Sequence, residues 1–126
     1  MSWQSYVDDQ LISTGKICKA AIIGKAGGVW AASEGYELSQ AEQNFITHTA
    51  FSDPQTVRAG GITLAGFKFM TIQASEDEVI GRKGDRGVFI IPTEQAILVG
   101  EYEATPAGDG NIVMTKLADY LKSVGY

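Results

Sequence analysis

Cysteine and histidine are almost missing from the sequence, with one of each in 126 residues. A lone Cys18 excludes an internal disulfide framework, and this fits a reducing compartment. The lone His48 has no second histidine or cysteine nearby that would support a metal site. We therefore expect no metal and no cofactor, and we interpret His48 as a surface residue.

Long apolar runs are also missing. The longest, such as Ala20–Ile23, fall far short of the roughly 20 residues that a membrane-spanning helix needs. The start of the chain is polar and acidic and does not have the pattern of a secretory signal. We expect a cytoplasmic protein that does not span a membrane.

Positive charge is scarce, because 10 Lys and Arg stand against 15 Asp and Glu, for a net charge of −5. Broad nucleic-acid binding relies on Lys and Arg to neutralise phosphates, so this function class is disfavoured. One local basic spot remains at Arg82, Lys83 and Arg86. The residues alone leave open whether this spot binds a ligand or is a solvated hairpin connection.

The chain is 44% hydrophobic, which at this length indicates one domain with a real core. A helix is predicted from Trp3 to about Gly15, a strand pair follows, and Ser39–Glu42 is a capping box that starts a helix ending before Pro54. A last helix is predicted from about Asn111 to Val124. Five strands are predicted between them: Ile62–Ala65, Phe67–Ala74, Val79–Gly81, Gly87–Ile91 and Ala96–Tyr102. The pattern is typical of an α+β sandwich whose antiparallel sheet is covered on both faces.

The strand pair is predicted at Lys19–Gly24 and Val29–Ser33, with a glycine-rich hairpin between them. Trp30 lies in the second of these strands. Trp3 and Tyr6 lie one helical turn apart near one chain end, and Tyr120 and Tyr126 lie near the other. The residues alone leave open whether these aromatic side chains form core or an exposed binding surface.

Sequence signals for catalysis are weak. Gly81-x-x-Gly-x-x-Gly87 could form an anion-binding nest, but a strand-to-helix context is absent, and a hairpin turn is the better interpretation. No Gly-x-Ser-x-Gly elbow positions a nucleophile. We expect a protein that is not an enzyme.

Three separated blocks carry a family resemblance. They are Trp-Gln-x-Tyr-Val-Asp-x-x-Leu at Trp3–Leu11, Gly-Val-Trp-Ala at Gly28–Ala31, and Lys-Leu-Ala-Asp-Tyr-Leu at Lys116–Leu121. In content, order and distance they resemble profilin, in the form found in amoebae and fungi. The resemblance implies a single profilin domain over residues 1–126, with the N- and C-terminal helices on one face of the sheet and shorter helical segments on the other.

The resemblance also implies that the chain binds proline-rich segments of cytoskeletal regulators such as formins. Proline-rich peptides are extended before binding, so little conformational entropy is lost when their rings stack on aromatic faces. We use the name aromatic shelf for the residues that match the family's site: Trp3, Tyr6, Trp30, Tyr120 and Tyr126. We expect a monomer.

A second implied function is binding of monomeric actin at its barbed-end face, with promotion of nucleotide exchange on actin. The implied contact residues are Lys68, Thr71, Gln73, Lys83, Gly108, Asn111, Ile112 and Lys116. Lys116 is the best candidate for a charge-assisted contact with an actin carboxylate. The chain departs from many family members by carrying Gln73, Asp77, Pro92 and Gln95 where Arg or Lys is common, which weakens long-range attraction to acidic partners.

Phosphoinositide lipids are a third implied partner, through Arg82, Lys83 and Arg86. Each basic residue near an anionic surface is worth about 1 kcal/mol. We expect the acidic turn Glu76–Glu78 to lie close enough to offset this attraction, within the screening distance of roughly 8 Å. The prediction is weak, salt-dependent binding.

An alternative of another class is a small-ligand sensor, or a scaffold subunit of a related fold that binds small GTPases. Folds of this kind share layers without sharing sites. A sensor would enclose the aromatic side chains around a cavity, whereas a profilin exposes them in a shallow groove between its two terminal helices. The position of the aromatic residues therefore separates the two hypotheses.

Overall fold

A computed structural model describes residues 2–126, and Met1, the first residue of the predicted domain, lies outside the described residues. Seven strands form one sheet in which every pairing is antiparallel. They are β1 Lys19–Gly24, β2 Val29–Ala32, β3 Ile62–Leu64, β4 Phe67–Ala74, β5 Val79–Lys83, β6 Arg86–Pro92 and β7 Ala96–Glu103. Their order across the sheet is β2-β1-β7-β6-β5-β4-β3.

Four helical segments cover the sheet. The first, α1, runs without a break through Trp3–Ser5, a wider π-helical part at Tyr6–Leu11 and a 3₁₀ turn at Ile12–Thr14. The second, α2, joins Gln40–Asn44 to the π-helical Phe45–Thr49. The third, α3, is Pro54–Gly60, and the last, α4, is Ala107–Ser123.

The two terminal helices, α1 and α4, pack on the same face of the sheet. Val7 and Leu11 from α1 and Met114 from α4 are fully buried there, against strand residues such as Leu98. Burial of such a side chain contributes about 1.5 to 3 kcal/mol. This layer therefore fixes how the two helices lie against each other.

The shorter helices α2 and α3 cover the opposite face. Ile46 from α2 and Val57 from α3 are fully buried against strand residues such as Ile23 and Val99. Alternate residues of a strand point to opposite faces, so each central strand supplies both layers. The predicted α+β sandwich, with terminal helices on one face and shorter helices on the other, is confirmed.

Two predicted helix boundaries, at Gly15 and at Ser39, agree with the structure, and a capping residue sets each of them. Gly15 ends α1 with φ of 73°, a left-handed conformation that glycine adopts at low cost. The capping box at α2 is complete, because Ser39 Oγ accepts from the Glu42 N–H and the Glu42 carboxylate accepts from the Ser39 N–H. The strand pair β1–β2 also forms as predicted, with the second strand ending one residue earlier, at Ala32.

Two helix predictions were wrong. The sequence reading missed α3, although Pro54 is favourable at the first helical position and Asp53 caps the helix by accepting from the Thr56 N–H. The last helix begins at Ala107, four residues before the predicted Asn111. Gly108 and Gly110 lie inside the helix, and Gly110 is buried close to the Phe89 ring.

Candidate functional site

The five residues of the aromatic shelf lie together. The Trp3 ring is central, with its centroid 4.7 Å from that of Trp30, 5.1 Å from that of Tyr126 and 5.5 Å from that of Tyr6. Tyr6 in turn lies 6.1 Å from Tyr120. The shelf combines residues of α1, β2 and α4 with Tyr126, because the packing of the terminal helices on one face brings both chain ends together.

The shelf is an open surface and not an enclosed cavity. Tyr120 is 50% exposed and Tyr126 is 43% exposed, while Trp3, Tyr6 and Trp30 are half-buried. Burial and the neighbouring Tyr120 hydroxyl raise the pKa of Tyr6. An ordinary phenol is already protonated at neutral pH, and the Tyr6 hydroxyl can donate to a ligand carbonyl.

Trp30 owes its position to Gly24 on the neighbouring strand. A Cβ atom at Gly24 would lie 2.5 Å from Trp30 Nε1 and 2.9 Å from Cε2. Normal carbon contacts are about 3.5 to 4.0 Å, so only glycine leaves room for this indole. Gly24 of β1 thus leaves the space in which the Trp30 ring of the aromatic shelf lies.

A groove of about 580 Å³ continues from the shelf between α1 and α4. Tyr6 and Tyr120 line both the shelf and the groove. Ile112 and Lys116, two of the predicted actin contacts, line the far part of the groove. The remaining lining residues are Asp9, Gln10, Thr14, Val113 and Leu117.

A second depression, which we call the basic cleft, contains three other predicted actin contacts. Lys68, Thr71 and Lys83 line it together with Arg58–Gly61 at the end of α3, around a volume of about 420 Å³. Thr71 is tied to α3, since its hydroxyl donates to the Val57 carbonyl at 2.6 Å. Sequence reasoning missed Arg58 because it missed α3. The Asp53-Pro54 start and the Gly60-Gly61 end were the available signals.

The other predicted actin contacts are spread along β4 and α4. Gln73 is exposed beside an irregularity in the β4–β5 pairing, and Gly108 is exposed in the first turn of α4. Asn111 Nδ2 donates to Glu78 Oε2 at 2.8 Å, which fastens α4 to the start of β5. Ile112 is 67% exposed.

Two apolar side chains near this surface were not singled out from the sequence. Met70 and Ile72 on β4 are 72% and 64% exposed. The available signal for their exposure was the alternation of side chains along a strand. Phe69 is buried, so its neighbour Met70 must point to the other face of the sheet. Apolar side chains exposed on one strand are typical of an interaction surface.

The geometry assumed for the basic spot was wrong. The acidic turn Glu76–Glu78 precedes β5, and the basic residues lie at the far end of that strand and at the start of β6. Glu78 and Arg82 are four residues apart along this extended segment, about 13 Å, which is well beyond the screening length of about 8 Å in physiological salt. The acidic turn therefore does not offset the basic spot.

Other carboxylates neutralise one residue of the basic spot, Arg86. Arg86 lies 3.3 Å from the buried Glu101 carboxylate and 3.6 Å from that of Glu103, across the β6–β7 pair. Its guanidinium also lies over the Phe67 ring at 3.8 Å, and Lys83 lies over the same ring at 5.5 Å. Arg86 is thus engaged within the protein, which leaves Arg82 and Lys83 as the exposed cations of the spot.

One departure from the family pattern has an unexpected position. Gln95, grouped above with the actin-facing and lipid-facing surfaces, contacts the segment that carries Tyr126, because its Nε2 donates to the Gly125 carbonyl at 2.7 Å. It lies beside the aromatic shelf. The residue at position 95 therefore affects the charge of the peptide surface and not that of the actin-facing surface.

Comparison with known proteins adds a family assignment. The profilin family model matches residues 1–126. This chain belongs to the profilin family. Profilin-A of Physarum polycephalum is 45% identical over 127 residues, and the match covers all of both chains. The profilin of Schizosaccharomyces pombe is 44% identical over 128 residues, again with full coverage of both.

Solved profilins share the fold. The S. pombe profilin crystal structure superposes with a TM-score of 0.94 at 43% identity, covering 99% of this chain and 100% of the other. Acanthamoeba castellanii profilin IB gives a TM-score of 0.95 at 40% identity, with the same coverage. Mouse profilin IIa, at 24% identity and a TM-score of 0.82 over the full length of both chains, was solved in complex with a double repeat from the FH1 domain of mDia1.

Profilins are actin-binding proteins and not enzymes, so the family assignment agrees with the expectation of a protein without catalytic activity. The resemblance inferred from three sequence blocks is confirmed over the whole chain. Within residues 2–126 there is no helix both long enough and apolar enough to cross a membrane.

Proposed function

We propose that this chain binds proline-rich segments, of the kind found in formins, through the aromatic shelf. The observation that carries the proposal is the convergence of five aromatic side chains from three regions on one open surface, with Trp3 in contact with three of the other rings. Flat pyrrolidine rings stack on such faces. The phenol and indole donors can bond the peptide carbonyls, which have no partners within a polyproline helix.

The direct experiment is retention on a poly-proline column, with free proline as a control for general adsorption. We expect the folded protein to be retained and to be released by a soluble proline decamer. A folded protein that passes through the column would overturn the proposal.

The proposal has a second part, which is binding of monomeric actin through β4, β5 and α4 with promotion of nucleotide exchange. Support comes from the exposed cations Lys68, Lys83 and Lys116 and from the exposed apolar side chains Met70 and Ile112. Apolar area supplies affinity at such an interface, and cations at its rim steer association with acidic partners. Calorimetric titration of monomeric actin and release of a fluorescent nucleotide from actin test the two activities separately. Because its partners belong to the actin cytoskeleton, the proposal places the protein in the cytoplasm.

Phosphoinositide binding is proposed to be weak. The sequence analysis attributed the weakness to the acidic turn Glu76–Glu78. In the structure the reason is that Arg86 is paired with Glu101 and Glu103 and therefore attracts an anionic membrane only weakly. Arg82 and Lys83, with the exposed Lys68 that lines the basic cleft beside Lys83, supply only about 3 kcal/mol near an anionic surface. Binding to vesicles should therefore be lost at physiological salt.

The sensor or scaffold alternative is not favoured by the position of the aromatic residues. A sensor requires an enclosed, largely apolar cavity. Here Tyr120 and Tyr126 are about half exposed, and the groove that continues from them lies open between α1 and α4. Retention by poly-proline would remove the remaining reason for that alternative.

A further inference from the structure

The turn between β6 and β7 holds the backbone on either side of Tyr126. The Tyr126 carbonyl oxygen accepts from the Gln95 N–H at 2.6 Å and from the Thr93 hydroxyl at 2.6 Å. The Gly125 carbonyl accepts from Gln95 Nε2 at 2.7 Å. We call these three hydrogen bonds the 93–95 clamp. Thr93 is only 4% exposed, so water does not compete strongly for its hydroxyl.

The backbone N–H of Tyr126 is also fixed, by the end of α4. It donates to the Leu121 carbonyl at 2.8 Å, and Gly125 adopts φ of 90°, in the manner of a glycine-terminated helix. The helix end thus holds the N–H of Tyr126, and the 93–95 clamp holds its carbonyl. Rotation of the side chain is the main freedom left, and the ring lies edge-on to Trp3 at an interplanar angle of 85°.

The same turn touches the opposite side of the shelf. The Gln95 carbonyl accepts from the Lys25 N–H at 3.0 Å, at the start of the hairpin that leads to Trp30. One short turn therefore joins the two segments that carry Trp30 and Tyr126. Both rings contact Trp3, at 4.7 and 5.1 Å.

We infer that Thr93 and Gln95 are positioning residues for the proline-rich ligand, holding Tyr126 against Trp3 so that the shelf is formed before the peptide arrives. This inference rests on the proposed function. A surface that is already ordered loses less side-chain freedom on binding. The Thr93 hydroxyl also bonds the carbonyl and the N–H of Ala96 within the turn. Loss of its bond to Tyr126, and of the order of the ring, should weaken peptide binding about three- to tenfold.

Thr93→Val tests the inference, because valine keeps the shape of threonine and lacks the hydroxyl. Peptide affinity is measured by calorimetry with a proline decamer, in the natural sequence and in a Tyr126→Ala background. We expect Thr93→Val to weaken binding about three- to tenfold in the first and not at all in the second. Equal losses in both backgrounds would mean that the turn supports the fold in general, and no loss in either would also overturn the inference.

Gln95→Ala is the second variant, since Gln95 is exposed and its side chain can be removed without disturbing the core. Its matched control is Glu94→Ala, an exposed residue of the same turn whose side chain bonds neither Gly125 nor Tyr126. We expect weaker peptide binding for Gln95→Ala and unchanged binding for the control. Equal behaviour of the two variants would contradict a role for the Gln95 side chain.

A spectroscopic measurement on the free protein follows the ring contact itself. Nuclear Overhauser effects between the Tyr126 ring and the Trp3 indole should be strong in the natural protein and weak in Thr93→Val, and equal intensities would overturn the inference. Failure of the natural protein to bind the decamer would overturn the proposed function and this inference with it. A natural protein that binds, beside a Thr93→Val variant that binds equally well, would overturn the inference alone.

Discussion

Gly24 is not one of the five residues of the aromatic shelf, but its substitution by alanine should displace one of them, Trp30. The added Cβ would lie 2.5 Å from Trp30 Nε1 and 2.9 Å from Cε2, about 1 Å closer than normal contact allows. The indole must therefore move by about this distance or change rotamer. Overpacking of this kind costs about 1 to 3 kcal/mol, more than the few tenths to 1 kcal/mol that alanine gains over glycine in a strand.

The expected effect on function follows from the position of Trp30. Its ring lies 4.7 Å from Trp3, so a displaced Trp30 removes one stacking surface from the centre of the shelf. We expect a loss of about 1 to 2 kcal/mol in peptide binding, which is about five- to thirtyfold in Kd. Calorimetric titration with a proline decamer measures the affinity, and tryptophan emission reports the displaced indole.

Gly60→Ala is the matched control for this variant. A Cβ atom at Gly60 would meet nothing within 4 Å, so the same chemical change should leave peptide affinity and tryptophan emission unaltered. A folded Gly24→Ala protein with natural affinity and natural emission would refute the reasoning. So would a loss of affinity of the same size in Gly60→Ala.

Three further outcomes are expected. Lys116→Glu should weaken binding of monomeric actin about ten- to a hundredfold by calorimetry, while the same change at Lys122 on that helix should not, and unchanged affinity would remove Lys116 from the interface. Burial would raise the pKa of Glu42, but backbone N–H donors outweigh this and lower it, so its stabilising effect is present above about pH 4.3 and lost as the pH falls through the lowered value. Urea midpoints should accordingly fall more steeply below pH 4.3 in the natural protein than in Glu42→Gln, and parallel profiles would contradict this. Glu103→Gln should strengthen binding to phosphoinositide vesicles at low salt by removing one of the two carboxylates that neutralise Arg86, whereas Glu76→Lys should have little effect, and the reverse ranking would contradict the geometry.

Local sequence signals predicted much of the fold because they act over a few residues. The Ser39 capping box, Gly15 at the end of α1 and the glycine hairpin after β1 each determine a boundary through backbone chemistry. The same kind of signal was available for α3 at Pro54 and was read only as a stop. Proline both prevents a preceding helix from continuing and favours the start of a new one.

Features that depend on distant contacts could not be predicted in the same way. Whether Glu76 or Glu103 neutralises Arg86 depends on which end of a strand each occupies, and sequence distance favoured the wrong residue. The position of Gln95 beside Tyr126 depends on the packing of α4 on the sheet, which brings the end of the chain to the turn between β6 and β7. The antiparallel pairing of β1 with β7 brings the same turn to Lys25. The basic cleft at Arg58 likewise requires α3 to pack beside β4.

The central claim is that the aromatic shelf is the peptide site and that the proposed actin surface, which reaches the far part of the same groove, does not depend on Trp3. Trp3→Ala tests this most directly, with the affinities for a proline decamer and for monomeric actin both measured by calorimetry on the same preparation. Removal of a central aromatic side chain should cost about 2 kcal/mol or more, at least a thirtyfold loss of peptide affinity, with actin affinity nearly unchanged. Peptide affinity that persists, or actin affinity that falls in parallel while the protein remains folded, would contradict the account.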